Sequence, residues 1–159
     1  PDAAAFAQLT PEELEPLISS CGLYKNKAKN IVAASKIIQE QYGGEVPHTK
    51  EQLTALPGVG GKTANVILAV GFGIPALAVD THVFRVANRL GLAHTRTPEQ
   101  TEAALCALIP KEKWADAHHW LIWHGRKICA ARHPDCESCP LQGLCEYRQQ
   151  QSKTLPKAQ

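Results

Sequence analysis

Four cysteines crowd toward the C-terminal end, Cys129, Cys136, Cys139 and Cys145, in the spacing C-x6-C-x2-C-x5-C. Four thiolates converging from a short loop can enclose one zinc ion or a cubane iron–sulfur cluster. Structural zinc sites usually come as two close pairs, and here only Cys136 and Cys139 form one. The wider gaps favour the larger inorganic core, and spacing alone leaves zinc open. Pro134, Pro140 and Gly143 supply the turns. Clustering without a secretory signal favours a metal or cluster site over disulfides. Cys21 and Cys106 stand apart and read as small buried hydrophobes.

A second chemistry centres on Lys62 and Asp80. Leu56-Pro57-Gly58-Val59-Gly60-Gly61-Lys62-Thr63-Ala64 joins a capped helix to an apolar one. Pro57 ends the first helix, and Gly58 and Gly60 allow positive φ and bring backbone close to a ligand. The next helix presents unpaired N–H groups, which makes Pro57, Gly58, Val59, Gly60 and Gly61 a sequence-independent phosphate clamp. A nucleotide P-loop does not fit: Leu56 stands where its first glycine belongs, and a helix rather than a strand precedes. The plainer alternative is a tight inter-helix turn. Lys62 sits in the first helical turn, where the dipole disfavours a charged amine. A free amine can attack a sugar C1′ and form a Schiff base, whereas a charged one would only pair with phosphate. Asp80, in Val79-Asp80-Thr81-His82-Val83, opens a helix and reads as its N-cap. A rigidly held carboxylate can also stabilise positive charge developing on a sugar or activate the nucleophile.

The elements that must position these groups are helical. Thr10-Pro11-Glu12-Glu13, Thr49-Lys50-Glu51-Gln52 and Thr97-Pro98-Glu99-Gln100 are start signals, and Gly22, Gly43-Gly44, Gly91 and Pro110 are stops. Helices are expected near 3–8, 11–20, 25–42, 50–56, 61–71, 82–90, 98–109 and 112–124. The fold is all-α, with short loops and almost no strand signal. In helix 25–42, Ala28, Ile31, Ser35, Ile38 and Tyr42 share one face and Lys25, Lys29 and Lys36 the opposite one. Most lysine stripes are solvated faces. The functional alternative is that Lys25 and Lys29 face phosphates. Residues past about 148 are polar and read as a frayed tail.

The chain has 159 residues, 44% of them apolar, which is enough for one domain or two small lobes. A net charge of +2 is too small to argue nucleic-acid binding by itself. The most apolar window, residues 66–79, is broken by Gly71, Gly73 and Pro75 and reads as a buried helix and its exit rather than a bilayer span. The start lacks a basic region and a long apolar run, so a soluble, cytoplasmic protein is expected, nucleoid-associated if bacterial.

These residues together resemble the endonuclease III family of DNA glycosylases. The matching elements are LPGVGGKTA, VDTHVFRVANRLGL, HHWLIWHGRKICAAR and the four-cysteine loop, over about residues 22–148. The resemblance implies two helical lobes, a helix-hairpin-helix lobe (1–75) and an iron–sulfur lobe (76–148), with a cleft between them and a polar tail (149–159). It implies Lys62 as Schiff-base nucleophile, Asp80 as catalytic carboxylate, and [4Fe–4S] on the four cysteines. Leu23 matches the position whose side chain wedges into the base stack. The activity implied is excision of oxidised pyrimidines from duplex DNA followed by β-elimination at the abasic site, by a monomer with no membrane partner. Relatives that only remove a base lack a lysine at the place of Lys62.

Three departures from the family pattern stand out. Helices that the family carries before the position of Pro1, one bearing a glutamine that fills the gap left by the flipped base, are expected to be missing from the first lobe. Gly61 stands where arginine is frequent. The loop AARHPD keeps Arg132 but has His133 and Asp135 where basic residues are common. Two other functions compete. A non-catalytic helix-hairpin-helix and iron–sulfur module that only binds DNA would need neither Lys62 nor Asp80. A redox-responsive DNA binder would need a cluster whose potential shifts strongly on DNA.

Overall fold

The structure, a computed structural model, describes residues 2–154, with side chains as far as 151. Among them there is no β-strand, and no helix is long and apolar enough to cross a membrane. By contacts the chain divides into two compact units, 1–64 and 65–159. The division falls inside a helix. Residue 75, the boundary expected from sequence, lies in the non-helical chain that follows the turn ending at Gly71.

In the first unit, α1 (Ala3–Ala7) starts where the Asp2 side chain accepts from the Ala5 N–H at 2.9 Å. α2 (Pro11–Leu14) opens with the capping box expected at Thr10, closed by Glu13. It does not continue to residue 20. Pro16 has no N–H to donate and its ring crowds the preceding turn, so a 3₁₀ turn takes over at Glu15–Ile18. α3 (Tyr24–Tyr42) ends on Gly43 at φ 60°. Its buried face is Ala28, Val32 and Ser35, against Leu14 with Phe6, Leu9, Ile18 and Ile31 alongside. Val32 was not foreseen on that face. α4 (Lys50–Thr54) starts on the Thr49 cap and buries Leu53. Cys21 is exposed, against expectation, because it lies in the turn between the 3₁₀ segment and α3 rather than on a packed face.

α5 (Gly61–Val66) runs into a π-helical turn, Ile67–Gly71. The second unit then continues with extended, buried chain (Ala76, Leu77, Ala78 and Val79 are all at most 7% exposed) that leads into α6 (Thr81–Leu90). α7 (Pro98–Leu108), a 3₁₀ turn at Lys111–Lys113, α8 (Trp114–Lys127) and α9 (Glu146–Thr154) follow. The core is Leu77, Val79, Val83, Val86, Ala87, Ala93, Leu105, Ala117 and Leu121. Each fully buried Leu or Val there stabilises the fold by about 1.5–3 kcal/mol relative to exposure. Cys106 is half-buried against this core. α8 reaches Lys127, three residues beyond the predicted 124, and α9 is helical where a frayed tail was expected; residues 155–159 lie outside the described residues.

α6 and α8 cross at Gly125. A Cβ there would lie 3.1 Å from His82 Cβ and from Val86 Cγ2, and 3.2 Å from Arg85 Nη2. The absent side chain lets the N-terminal half of α6 lie on α8. Gly125→Ala gains helix propensity of about 1 kcal/mol. It must also push apart two packed helices, at about 1–3 kcal/mol. We expect a lower urea midpoint for Gly125→Ala; a raised midpoint would show that the crossing yields without cost.

Candidate active site and cluster loop

The hairpin between α4 and α5 is a type II turn, as its residues require. The Val59 N–H donates to the Leu56 carbonyl at 3.1 Å, Pro57 takes the first central position, and Gly58 the second at φ 77°. A Cβ on Gly58 would sit 2.7 Å from Asn30, so the turn's backbone lies directly on α3. Gly60 precedes α5 and its carbonyl accepts from the Ala64 N–H at 2.9 Å. Gly61 and Lys62, in the first turn of α5, are exposed.

Lys27, Asn30, Ile31 and Ala34 of α3 line an open groove together with Pro57, Gly58 and Val59. The basic residue beside the turn is thus Lys27. Lys25 and Lys29 are exposed on the same helix and do not line the groove. Helical periodicity separates the faces of α3 but cannot reveal which face the hairpin approaches. Leu23 stands immediately before α3 at φ 60°, with its side chain 79% exposed. A leucine in the left-handed region costs about 1–2 kcal/mol. An apolar side chain held out to solvent on a strained backbone is a functional signal.

Asp80 caps α6 as expected. Its Oδ1 accepts from the His82 and Val83 N–H groups, both at 2.8 Å. Oδ2 has no hydrogen bond among the described residues. One oxygen therefore anchors the residue and the other is available to a ligand. Lys62 belongs to the first compact unit and Asp80 to the second.

Cys129, Cys136, Cys139 and Cys145 line one small cavity, walled by Leu90, Ile128, Pro134 and Tyr147 among others. Cys139 and Cys145 are buried, and Cys129 and Cys136 half-buried. Burial pushes the Cys136 thiol up; Arg148 pulls it back, and the neighbouring Cys129, Cys145 and Cys139 raise it further. Among the described residues, no three Cys, His, Asp or Glu side chains are disposed to hold a single metal ion. Four thiols thus line one apolar hollow, a donor set of the kind that holds either a zinc ion or an iron–sulfur core. Polar groups lie against the sulfurs: Arg89 Nη1 donates to Cys129 Sγ at 3.4 Å, and His124 Nε2 lies 3.8 Å from Cys139 Sγ. Burial lowers the His124 pKa. In the loop itself, Asp135 receives hydrogen bonds from the Ser138 hydroxyl and N–H, which lower its carboxyl pKa.

Residues 1–111 match the model of the HhH-GPD superfamily base excision DNA repair proteins. Endonuclease III of Thermotoga maritima is 50% identical over 148 residues, covering 93% of this chain and 70% of the relative. A non-covalent endonuclease III–DNA complex superposes with a TM-score of 0.89 at 44% identity, covering 96% of this chain and 72% of that one. The structure of a trapped endonuclease III–DNA covalent intermediate also gives 0.89, at 45% identity, over 95% and 71%. The chain belongs to the endonuclease III family.

In this endonuclease III family member the sequence motifs hold two arginines whose roles spacing could not show. Arg85 donates to the Gly125 carbonyl at 2.9 Å and to the Cys129 carbonyl at 3.1 Å. Arg89 donates to the Ala130 carbonyl at 2.7 Å and the Ala131 carbonyl at 3.1 Å, and lies 4.7 Å over the Tyr147 ring. Both tie α6 to the start of the cysteine loop. Their partners are backbone groups some 40 residues away, so no local pattern announces them.

The hairpin gives a direct test of its own geometry. Gly58→Ala meets both a left-handed φ and the Asn30 side chain. It should lower stability by about 1–3 kcal/mol in chemical denaturation, and weaken binding to duplex DNA. Wild-type stability in that variant would mean the turn does not need its glycine.

Proposed function

We propose that this chain is a base-excision repair enzyme, a bifunctional DNA glycosylase and abasic-site lyase acting on oxidised pyrimidines in duplex DNA. The observation that carries the reading is its likeness, at 45% identity and a TM-score of 0.89, to an endonuclease III caught covalently on DNA, in a chain that keeps an exposed lysine at the hairpin. A module that only binds DNA would have no use for that lysine, nor for a capping aspartate with one oxygen to spare.

In this reading the hairpin backbone from Pro57 to Gly61 holds a phosphate, Lys25 and Lys29 add charge along α3, and Leu23 fills the stack beside the lesion. The Lys62 amine attacks C1′ of the damaged nucleotide as the C1′–N bond breaks, and the base leaves with a proton. The Asp80 carboxylate stabilises the positive charge that grows on the sugar. The sugar ring then opens: the nitrogen lone pair forms C1′=N as the C1′–O4′ bond breaks and O4′ takes a proton, and the Schiff base so formed acidifies C2′. Loss of that proton expels the 3′ phosphate, and hydrolysis then frees Lys62. Cys129, Cys136, Cys139 and Cys145 would hold a [4Fe–4S] cluster, which when bound cross-links the loop and gives it a fixed shape. The protein acts as a monomer on DNA in the cytoplasm.

Asp80→Asn isolates the charge, since asparagine caps a helix about as well as aspartate. On a duplex carrying one oxidised pyrimidine we expect it to slow base release at least about a hundred-fold, with the fold intact. An unchanged rate would remove Asp80 from catalysis. Binding without any product from the unaltered chain would favour the DNA-binding module instead. Elemental analysis should find iron and inorganic sulfide in equal amounts; zinc alone would contradict the cluster.

A further inference from the structure

The stretch that delivers Asp80 is neither helix nor strand, yet it is buried: Leu77 is 1% exposed, Ala78 2% and Val79 4%. Buried chain outside regular structure has no ladder to satisfy its carbonyls, so each must find another donor. The two residues leading up to Val79 and Asp80 find theirs in side chains. Asn65 Nδ2 donates to the Leu77 carbonyl at 2.9 Å. His118 Nδ1 lies 2.7 Å from the Ala78 carbonyl, close enough to require the proton on that nitrogen. Asn65 and His118 are themselves 1% and 7% exposed, and both line one small cavity with Ala76, Ala78 and Ala115. Two polar side chains this deep in a core are costly unless bonded, and each makes a bond to this one segment.

We propose that Asn65 and His118 are positioning residues for Asp80, a role that rests on the reading of Asp80 as the catalytic carboxylate. The cap to His82 and Val83 fixes Asp80 to α6 from its C-terminal side. The two carbonyl bonds fix the chain on its N-terminal side. With both, the backbone at Asp80 has one place to be. Without the second, the cap persists but the segment entering it can slide. Neither buried side chain is available to DNA, so duplex binding should not depend on them. Catalysis should, because a displacement of about 1 Å can cost about a hundred-fold in rate.

The test compares single-turnover release of an oxidised pyrimidine with the dissociation constant for a duplex holding an uncleavable abasic analogue. The variants are Asn65→Leu, His118→Ala, His118→Asn and His118→Gln, each with its melting temperature. Asparagine places its amide where His Nδ1 stands; glutamine carries it one carbon further. Expected are losses of about ten- to a hundred-fold in release for Asn65→Leu and His118→Ala, dissociation constants within about three-fold, recovery of most of the rate in His118→Asn, and little recovery in His118→Gln. Release at the wild-type rate in His118→Ala would overturn the proposal. So would equal rates in the asparagine and glutamine variants, which decide the matter even if the alanine variant does not fold. Failure of the unaltered chain to release base is a different result: it overturns the assigned activity, and this role with it.

Discussion

The second compact unit depends on what α6 does with its two arginines. A helix C-terminus leaves carbonyls without partners, and a cysteine loop that must keep its sulfurs facing inward has no regular structure to satisfy its own. Arg85 meets the carbonyls of Gly125 and Cys129, and Arg89 those of Ala130 and Ala131. Arginine suits this because its planar fork offers several fixed donors from one side chain. The same helix is capped at its other end by Asp80 and buries Val83, Val86 and Ala87 in the core between. One ten-residue element therefore sets the carboxylate, fills the core and ties down the loop. The close crossing at Gly125 makes this possible, since Arg85 reaches α8 only where no side chain intervenes.

The cysteine loop is held from its far side as well. Cys145 Sγ lies 3.3 Å from the Arg89 carbonyl, and Glu146 pairs with His94 at 2.8 Å. Gly91, at φ 87°, leaves the room that Glu146 fills. Tyr147 sits under the Arg89 guanidinium, and Arg148 pairs with Glu137. The exposed pairs contribute little each. Collectively they give the polar helix α9 a fixed seat, so the last cysteine enters the cavity from a defined direction.

Local chemistry was legible in the sequence and distant partnership was not. Thr10, Thr49, Asp80 and Thr97 are caps because side-chain oxygen, spacing and following residues all lie within four positions. The Pro57-Gly58 turn is readable for the same reason. The four cysteines announced a shared site through clustering alone. α9 was missed because Glu-Tyr-Arg-Gln-Gln-Gln has no apolar stripe; tertiary polar contacts rather than periodicity hold it. The shortening of α2 is equally local, since Pro16 alone accounts for it. Lys27 beside the hairpin, and the partners of Asn65, Arg85, Arg89 and His118, depend on which elements meet in space, and one sequence holds no record of that.

The proposed chemistry requires Lys62 to form a covalent bond with DNA. Borohydride reduction of the chain on a duplex with one abasic site, beside Lys62→Ala, tests it directly. A stable protein–DNA adduct is expected from the unaltered chain and none from a Lys62→Ala variant that still binds the duplex. An adduct of equal yield from the variant, or none from an unaltered chain bound to the site, would contradict it.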